Sequence, residues 1–300
     1  MTTRRLLIAI GLLAFIACPA GAQPTRVLVT NDDGIGAPGI AALVDELALN
    51  PNLELHIYAP ATNQSGVSDT FSTTPFGVAA GTTASNTPGT AISGTPADSA
   101  MYGILYGMTP PPDLVVSGIN AGQNIGRFVA EDGSGTVGAA LAAARLGIPA
   151  IAVSLGLGSN DYAKPARYVA NVVEDFHHSK RLGKKLMSKN GLNQSLLLNV
   201  NFPACGSGSV RGVVLVPLAH SQDLVGRSVI GYTMTGPGTF QAQLSTTNAF
   251  ASDCNSTLVE PKDDIEAMNN GFATVTPLNP SLTVDSKLKK FKFLTKFPFN

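Results

Sequence analysis

Two adjacent carboxylates, Asp32 and Asp33, stand between Asn31 and Gly34 in the run RVLVTNDDGIGAPGIAALVDEL, residues 26–47. Neighbouring carboxylates repel each other unless a cation or a proton relieves them. A hard divalent ion with oxygen ligands is the natural cation. The alternative is one Asp capping the helix that follows, beside a second, solvated Asp. Three further loops carry short oxygen-bearing side chains: Asn63 and Ser65, Asn120 and Asn124, Ser134 and Thr136. A set of Asp, Asp, Ser and Asn oxygens suits Mg2+, Mn2+ or Ca2+ rather than a soft metal. Gly133-Ser134-Gly135-Thr136, ahead of an Ala-rich run, offers helix-start N–H groups to an anion. The same turn also reads as a plain Ser/Thr helix cap, the commoner role for such a turn taken alone. A metal beside an anion site means phosphoryl chemistry more readily than any other class.

Strands and helices must bring these loops together. Val27, Leu28 and Val29 suit a buried parallel strand. Pro38 suits the first turn of a helix, where its missing N–H has no partner to lose. Ile40, Leu43, Val44 and Leu47 then give that helix an apolar stripe. Further strands are expected at 53–60, 113–118, 148–155 and 195–200, and short strands and turns at 69–97. Helices are expected at 98–107, 137–146 and 164–187, with Gly147 as a left-handed stop. Alternation of strand and helix to residue 200 predicts a parallel sheet covered on both faces. Ligands of such sheets gather outside the carboxyl ends of the strands, where all four loops open. Beyond residue 203 the pattern changes to Gly, Ser, Thr and Val-rich hairpins and loops. The expected organisation is a leader at 1–22, an α/β core at 23–203 and a β-rich extension at 204–300.

Other classes fall away. The chain is 44% hydrophobic and 13% charged, with no net charge and no basic run interleaved with aromatics, so no nucleic-acid partner is expected. Residues 1–22 read as a secretory signal peptide: Arg4 and Arg5, an apolar run from Leu6 to Ala17, then Ala20-Gly21-Ala22 before Gln23. The run is too short for a stable membrane span, and the product is exported, periplasmic or secreted. Cys18 offers a second reading, a lipid-modified start. Cys205 and Cys254 remain after the leader, and export suggests one disulfide rather than two free thiols. GxGxxG does not follow the first strand, 118–126 lacks a P-loop ending, and no GxSxG elbow occurs. His56, His177, His178 and His220 lie outside the four loops. The basic and apolar stretch Lys287 to Lys296 is assigned no function.

The chain resembles the SurE family of metal-dependent nucleotidases. The matching blocks are NDDGIGAPG (31–39), NQSGVS (63–68), SGTPAD (93–98), PDLVVSGINAGQNIG (112–126), GSGTVGAALAAARLGIPAIAVSL (133–155) and LNVNFP (198–203), with a weaker GFATVTPL (271–278). The resemblance implies a Rossmann-like three-layer α/β fold whose β-rich extension exchanges between subunits, giving a homodimer or homotetramer. It implies phosphate release from nucleoside 5′- or 3′-monophosphates and one divalent metal on Asp32, Asp33, Ser65 and Asn120. Asp32 is the expected catalytic residue, as general base or as nucleophile. Asn124, Ser134, Gly135 and Thr136 are the expected phosphate-holding residues. Departures stand at Gly133, where an aromatic is common, at Ala143, where an acid is usual, and across 217–260, which lacks the family's Asp-Pro-Arg-Gly-type region. They leave two alternatives, a broad-specificity acid phosphatase and a catalytically weak extracytoplasmic nucleotide-binding protein.

Overall fold

The computed structural model describes residues 23–126, 133–179, 181–186, 195–219, 229–244, 252–280 and 288–299. The expected leader, Cys18, His220 and Lys287 lie outside the described residues. The chain opens with β1 (Thr25–Thr30), α1 (Pro38–Leu47), β2 (Leu53–Pro60), β3 (Val78–Thr82) and β4 (Pro88–Ile92). There follow α2 (Pro96–Tyr102), β5 (Leu114–Ala121), α3 (Gly135–Arg145), β6 (Ala150–Leu155), α4 (Ala163–Ser179), α5 (Arg181–Leu186) and β7 (Leu197–Phe202). Beyond residue 203 come β8 (Cys205–Gly208), β9 (Val213–Leu215), β10 (Val229–Gly236), β11 (Thr239–Leu244), β12 (Ser252–Cys254), α6 (Asp264–Asn269) and β13 (Ala273–Leu278).

Nine strands form one sheet in the order β3-β4-β2-β1-β5-β6-β7-β13-β9. The run from β4 to β7 is parallel throughout. The strands are apolar on both faces because helices cover both. Val27, Val29, Val116 and Val153 face α1 and α4, packing with Leu43, Leu47, Tyr168 and Val172. Leu28, Val115 and Ala152 face the other side, packing with Val137, Ala140 and Ala144 of α3. The result is a three-layer, Rossmann-like fold. From β1 the chain moves outward to β2, on to the edge strand β3 and back inward to β4, then returns to pair β5 on the other side of β1. The carboxyl ends of β1 and β5 are therefore a switch point, where the crossovers diverge and leave a crevice.

The extension expected at 204–300 is divided between two places. β13 pairs antiparallel with β7 and parallel with β9, so both strands belong to the central sheet. Phe291 and Leu294 are buried against the α4 side, and the Tyr168 hydroxyl donates to the Leu294 carbonyl at 3.0 Å. The β10–β11 hairpin forms a separate two-stranded sheet. Met234 lies opposite Phe240, and Tyr232 shares their face; all three are exposed. Cys205 and Cys254 are joined, with 5.6 Å between their Cα atoms, and tie β8 to β12.

Candidate active site

The two carboxylates leave β1 at the switch point. Neither caps α1: its N-cap is Ala37, with no side-chain hydrogen bond, and Pro38 opens the helix as expected. Gly39 lets this helix start lie against the end of β5, since a Cβ there would fall 1.9 Å from the Ile119 carbonyl oxygen. Asp32 instead turns to the start of α3. Its Oδ1 accepts the Thr136 hydroxyl at 2.6 Å. A Cβ on Gly135 would meet the Asp32 Cβ at 2.8 Å and the Pro96 Cγ at 2.9 Å. Only glycine allows that approach. Burial pushes the Asp32 carboxyl up to about 6; the Thr136 hydrogen bond opposes the rise and the Asp33 charge adds to it.

Asp33 is held from two sides. Its Oδ2 accepts the Ala121 N–H at 3.0 Å and its Oδ1 the Asn63 amide at 3.4 Å. Burial raises its pKa as well, against the Ala121 hydrogen bond. Asn63 Oδ1 accepts the Ser65 N–H at 2.8 Å, and the Gln64 N–H donates to the Asp32 carbonyl at 2.7 Å. The Ser65 loop is thereby fastened to the Asp pair. Asn120 donates its amide N–H to the Gly122 carbonyl at 2.7 Å, which leaves its Oδ1 as the ligand-capable atom. A buried carboxylate, Asp32, and a half-buried one, Asp33, with a neutral amide and a hydroxyl nearby form an all-oxygen donor set that fits a hard divalent ion. The cation would relieve the charge that burial penalises. Asn31 adds a buried Oδ1 with no partner among the described residues.

The α3 turn carries the Ser cap that its sequence offered. Ser134 is the N-cap, its Oγ accepting the Val137 N–H at 3.0 Å. Asp32 lies at the same helix start. Asn124 is 5% exposed and directs both amide hydrogens inward, to Ser154 at 2.8 Å and Thr136 at 3.3 Å. That arrangement makes Asn124 a support for Thr136 rather than a donor facing a phosphate. Ser134 and Gly135 stand nearest the Asp32 carboxylate at the helix start. All eight residues singled out in the sequence thus converge on the β1–β5 edge.

Four neighbours carry no role in the sequence reading. Tyr162 follows β6, and burial, then the Asp33 charge, hold its phenol above the ordinary value. Asn199 and Asn201 lie on one face of β7 and reach the Asn124 peptide. Asp264 accepts the Gly126 N–H at 2.9 Å and the Ala219 N–H at 2.8 Å. The signal for the Asn pair was two amides at alternate positions of an otherwise apolar strand. A cavity of about 1000 Å³ lies elsewhere, beyond the carboxyl ends of β6 and β7, lined by Ser159, Asp161 and Cys205. The donor chemistry, not cavity size, locates the site.

Residues 27–223 match the family model described as survival protein SurE. The chain belongs to the SurE family. A curated relative named 5′-nucleotidase SurE from Symbiobacterium thermophilum is 35% identical over 86% of this chain and 93% of its own length. One of the same name from a Methylobacterium species is 32% identical over 89% of this chain and 98% of its own. The crystal structure of the SurE protein from Aquifex aeolicus matches with a TM-score of 0.65 at 27% identity, over 90% of this chain and 99% of that one. The match to that structure therefore extends over nearly the full length of its chain.

Proposed function

We propose that this SurE chain is a divalent-metal-dependent phosphohydrolase releasing phosphate from nucleoside 5′- or 3′-monophosphates. The observation that carries it is the pair Asp32–Asp33 at the switch point, facing the α3 start, in a chain whose relatives are named 5′-nucleotidases. Asp32, Asp33, Ser65 and Asn120 would hold one Mg2+ or Mn2+, with Ca2+ also compatible with the donor set. When bound, the ion supplies a Lewis acid for a phosphoryl oxygen and lowers the pKa of a water. Ser134 and Gly135 would orient the phosphate at the helix start, where N–H groups and the dipole favour an anion. Thr136 and Asn124 act one layer behind, fixing the direction of the Asp32 carboxylate. Ala121 and Asn63 do the same for Asp33.

Phosphate release should be measured over a panel of 5′- and 3′-nucleotides and non-nucleotide phosphomonoesters, with Mg2+, Mn2+ or Ca2+ and after chelation. Turnover of nucleotides that stops on chelation is expected. No release from any nucleotide would overturn the reading. Equal rates on simple esters would replace it with a broad phosphatase, which the lack of an Asp-Pro-Arg-Gly-type region across 217–260 favours. Export of the mature chain from about Gln23 belongs to the same proposal, and N-terminal mass analysis of protein from the native host tests it.

A further inference from the structure

Strand β7 is apolar except at two positions. Leu197, Leu198, Val200 and Phe202 are buried among hydrophobic side chains, whereas Asn199 and Asn201, both 0% exposed, share the opposite face from Val200. Burying an amide costs free energy unless its hydrogen bonds are made. Valine or leucine would serve the sheet better, so the two amides need a reason beyond packing. The bonds they make supply it, although Asn199 Oδ1 has no partner among the described residues. Asn201 Oδ1 accepts the Asn124 N–H at 2.7 Å, and Asn201 Nδ2 donates to the Asn124 carbonyl at 3.0 Å. Asn199 Nδ2 donates to the same carbonyl at 2.7 Å. The peptide of one loop residue is gripped on its N–H and its C=O by one side chain and held by a second.

What that grip holds is the next link. The Asn124 amide donates to Ser154, on the strand beside Asn201, and to the Thr136 hydroxyl. With a donor already occupying its lone pair, Thr136 turns its single hydrogen to Asp32 Oδ1 at 2.6 Å. The hydrogen-bonded chain Asn201–Asn124–Thr136–Asp32 joins residues from four separate parts of the sequence. Every side chain in it is buried.

We propose that Asn201, backed by Asn199, is a positioning residue for the reaction: it clamps the peptide of Asn124, which sets the Thr136 hydroxyl on Asp32. The proposal rests on the nucleotidase reading for its kinetic consequence, though the clamp itself does not. Asn201 does not touch substrate and acts only through Asn124. Losing it should lower kcat by about tenfold, in the range for residues that orient a ligand-bearing group, and leave KM within about twofold.

The test is a double-mutant cycle on the full mature chain, with Asn201→Ala, Thr136→Val and both together. If the two residues act in one chain, kcat of the double variant equals that of the worse single variant; independent effects multiply. Multiplying effects, or a loss confined to KM, would overturn the proposal. Hydrogen exchange on metal-free protein reads the clamp with no substrate present. Asn201→Ala should speed exchange in 120–126 and also in the first turn of α3, residues 134–138. A change that stops at residue 126 would overturn the clamp even in an active enzyme. A wild-type chain that hydrolyses no nucleotide, yet shows exchange spreading to α3, would sink the nucleotidase reading and leave the clamp standing. Should Asn201→Ala not fold, Asn201→Ser carries the same measurements.

Discussion

Two buried carboxylates give opposite tests at the scale of single residues. Asp32→Asn keeps the shape of the side chain and removes its charge. Turnover should fall by roughly 100-fold or more, beyond the usual loss for an outer-shell partner, as read by steady-state phosphate release. Because burial raises the Asp32 carboxyl to about 6, the charge it carries at pH 7 costs the folded metal-free protein more than it costs the unfolded chain. The metal-free variant should accordingly unfold no earlier than wild type at that pH in a thermal scan. Asp264 lies away from the metal ligands and is also pushed up to about 6, chiefly by burial, against its hydrogen bonds from Gly126 and Ala219. The folded state therefore holds the proton more tightly than the unfolded chain. Its stabilising contribution is fully present below about pH 4 and is lost as pH rises through about 6, a change of roughly 3 kcal/mol. Asp264→Asn should shrink the difference in metal-free urea stability between pH 4.5 and 7 by about 2 kcal/mol, the rest of the change lying below pH 4.5. An unchanged difference would remove Asp264 from the account.

At the scale of elements, the contact between α3 and the β1 loop is set by a missing side chain. Gly135→Ala places a methyl against Asp32 and Pro96 at less than 3 Å, so the helix start or the carboxylate must move. A shift near 1 Å can cost roughly 100-fold in rate. A loss of at least tenfold in kcat, with far-UV dichroism unchanged, is expected. The disulfide works on another element pair. It closes a sequence separation of 49 residues between β8 and β12 and is expected to contribute about 4 kcal/mol by restricting the unfolded chain. Denaturant titration of Cys205→Ser/Cys254→Ser against the oxidised protein measures it. Activity should survive, because neither cysteine belongs to the carboxylate site.

At the scale of the whole molecule, the β10–β11 hairpin stands without internal cover among the described residues. The β10–β11 hairpin shows Tyr232, Met234 and Phe240 at 67%, 62% and 59% exposure on a single face. A lone two-stranded hairpin is marginal in water, and an apolar face of this kind invites a partner. The mature chain should be at least a dimer by light scattering at micromolar concentration. Met234→Lys with Phe240→Lys should move the mass toward that of one chain. A wild-type mass of a single chain would mean that the hairpin is covered by its own protomer.

Local chemistry made much of this legible in the sequence. The strand from Val27 to Val29, Pro38 at the start of α1, Gly147 at φ +81° after α3 and the alternation to residue 200 follow from short-range rules of periodicity and capping. So does the convergence of the four loops, because parallel strands open on one edge. The pairing of Cys205 with Cys254 followed from there being two cysteines in a chain read as exported. Tertiary structure alone decided the rest. β13 returns from residue 273 to pair with β7, and no local signal measures a separation of that length; the boundary at 203 reflected a change of composition, which strand pairing ignores. Asn124 was expected to hold phosphate with Ser134, Gly135 and Thr136. Three-dimensional packing turned its amide inward to Thr136 and Ser154. The sequence names which groups can donate and accept, but only the fold fixes which of them meet.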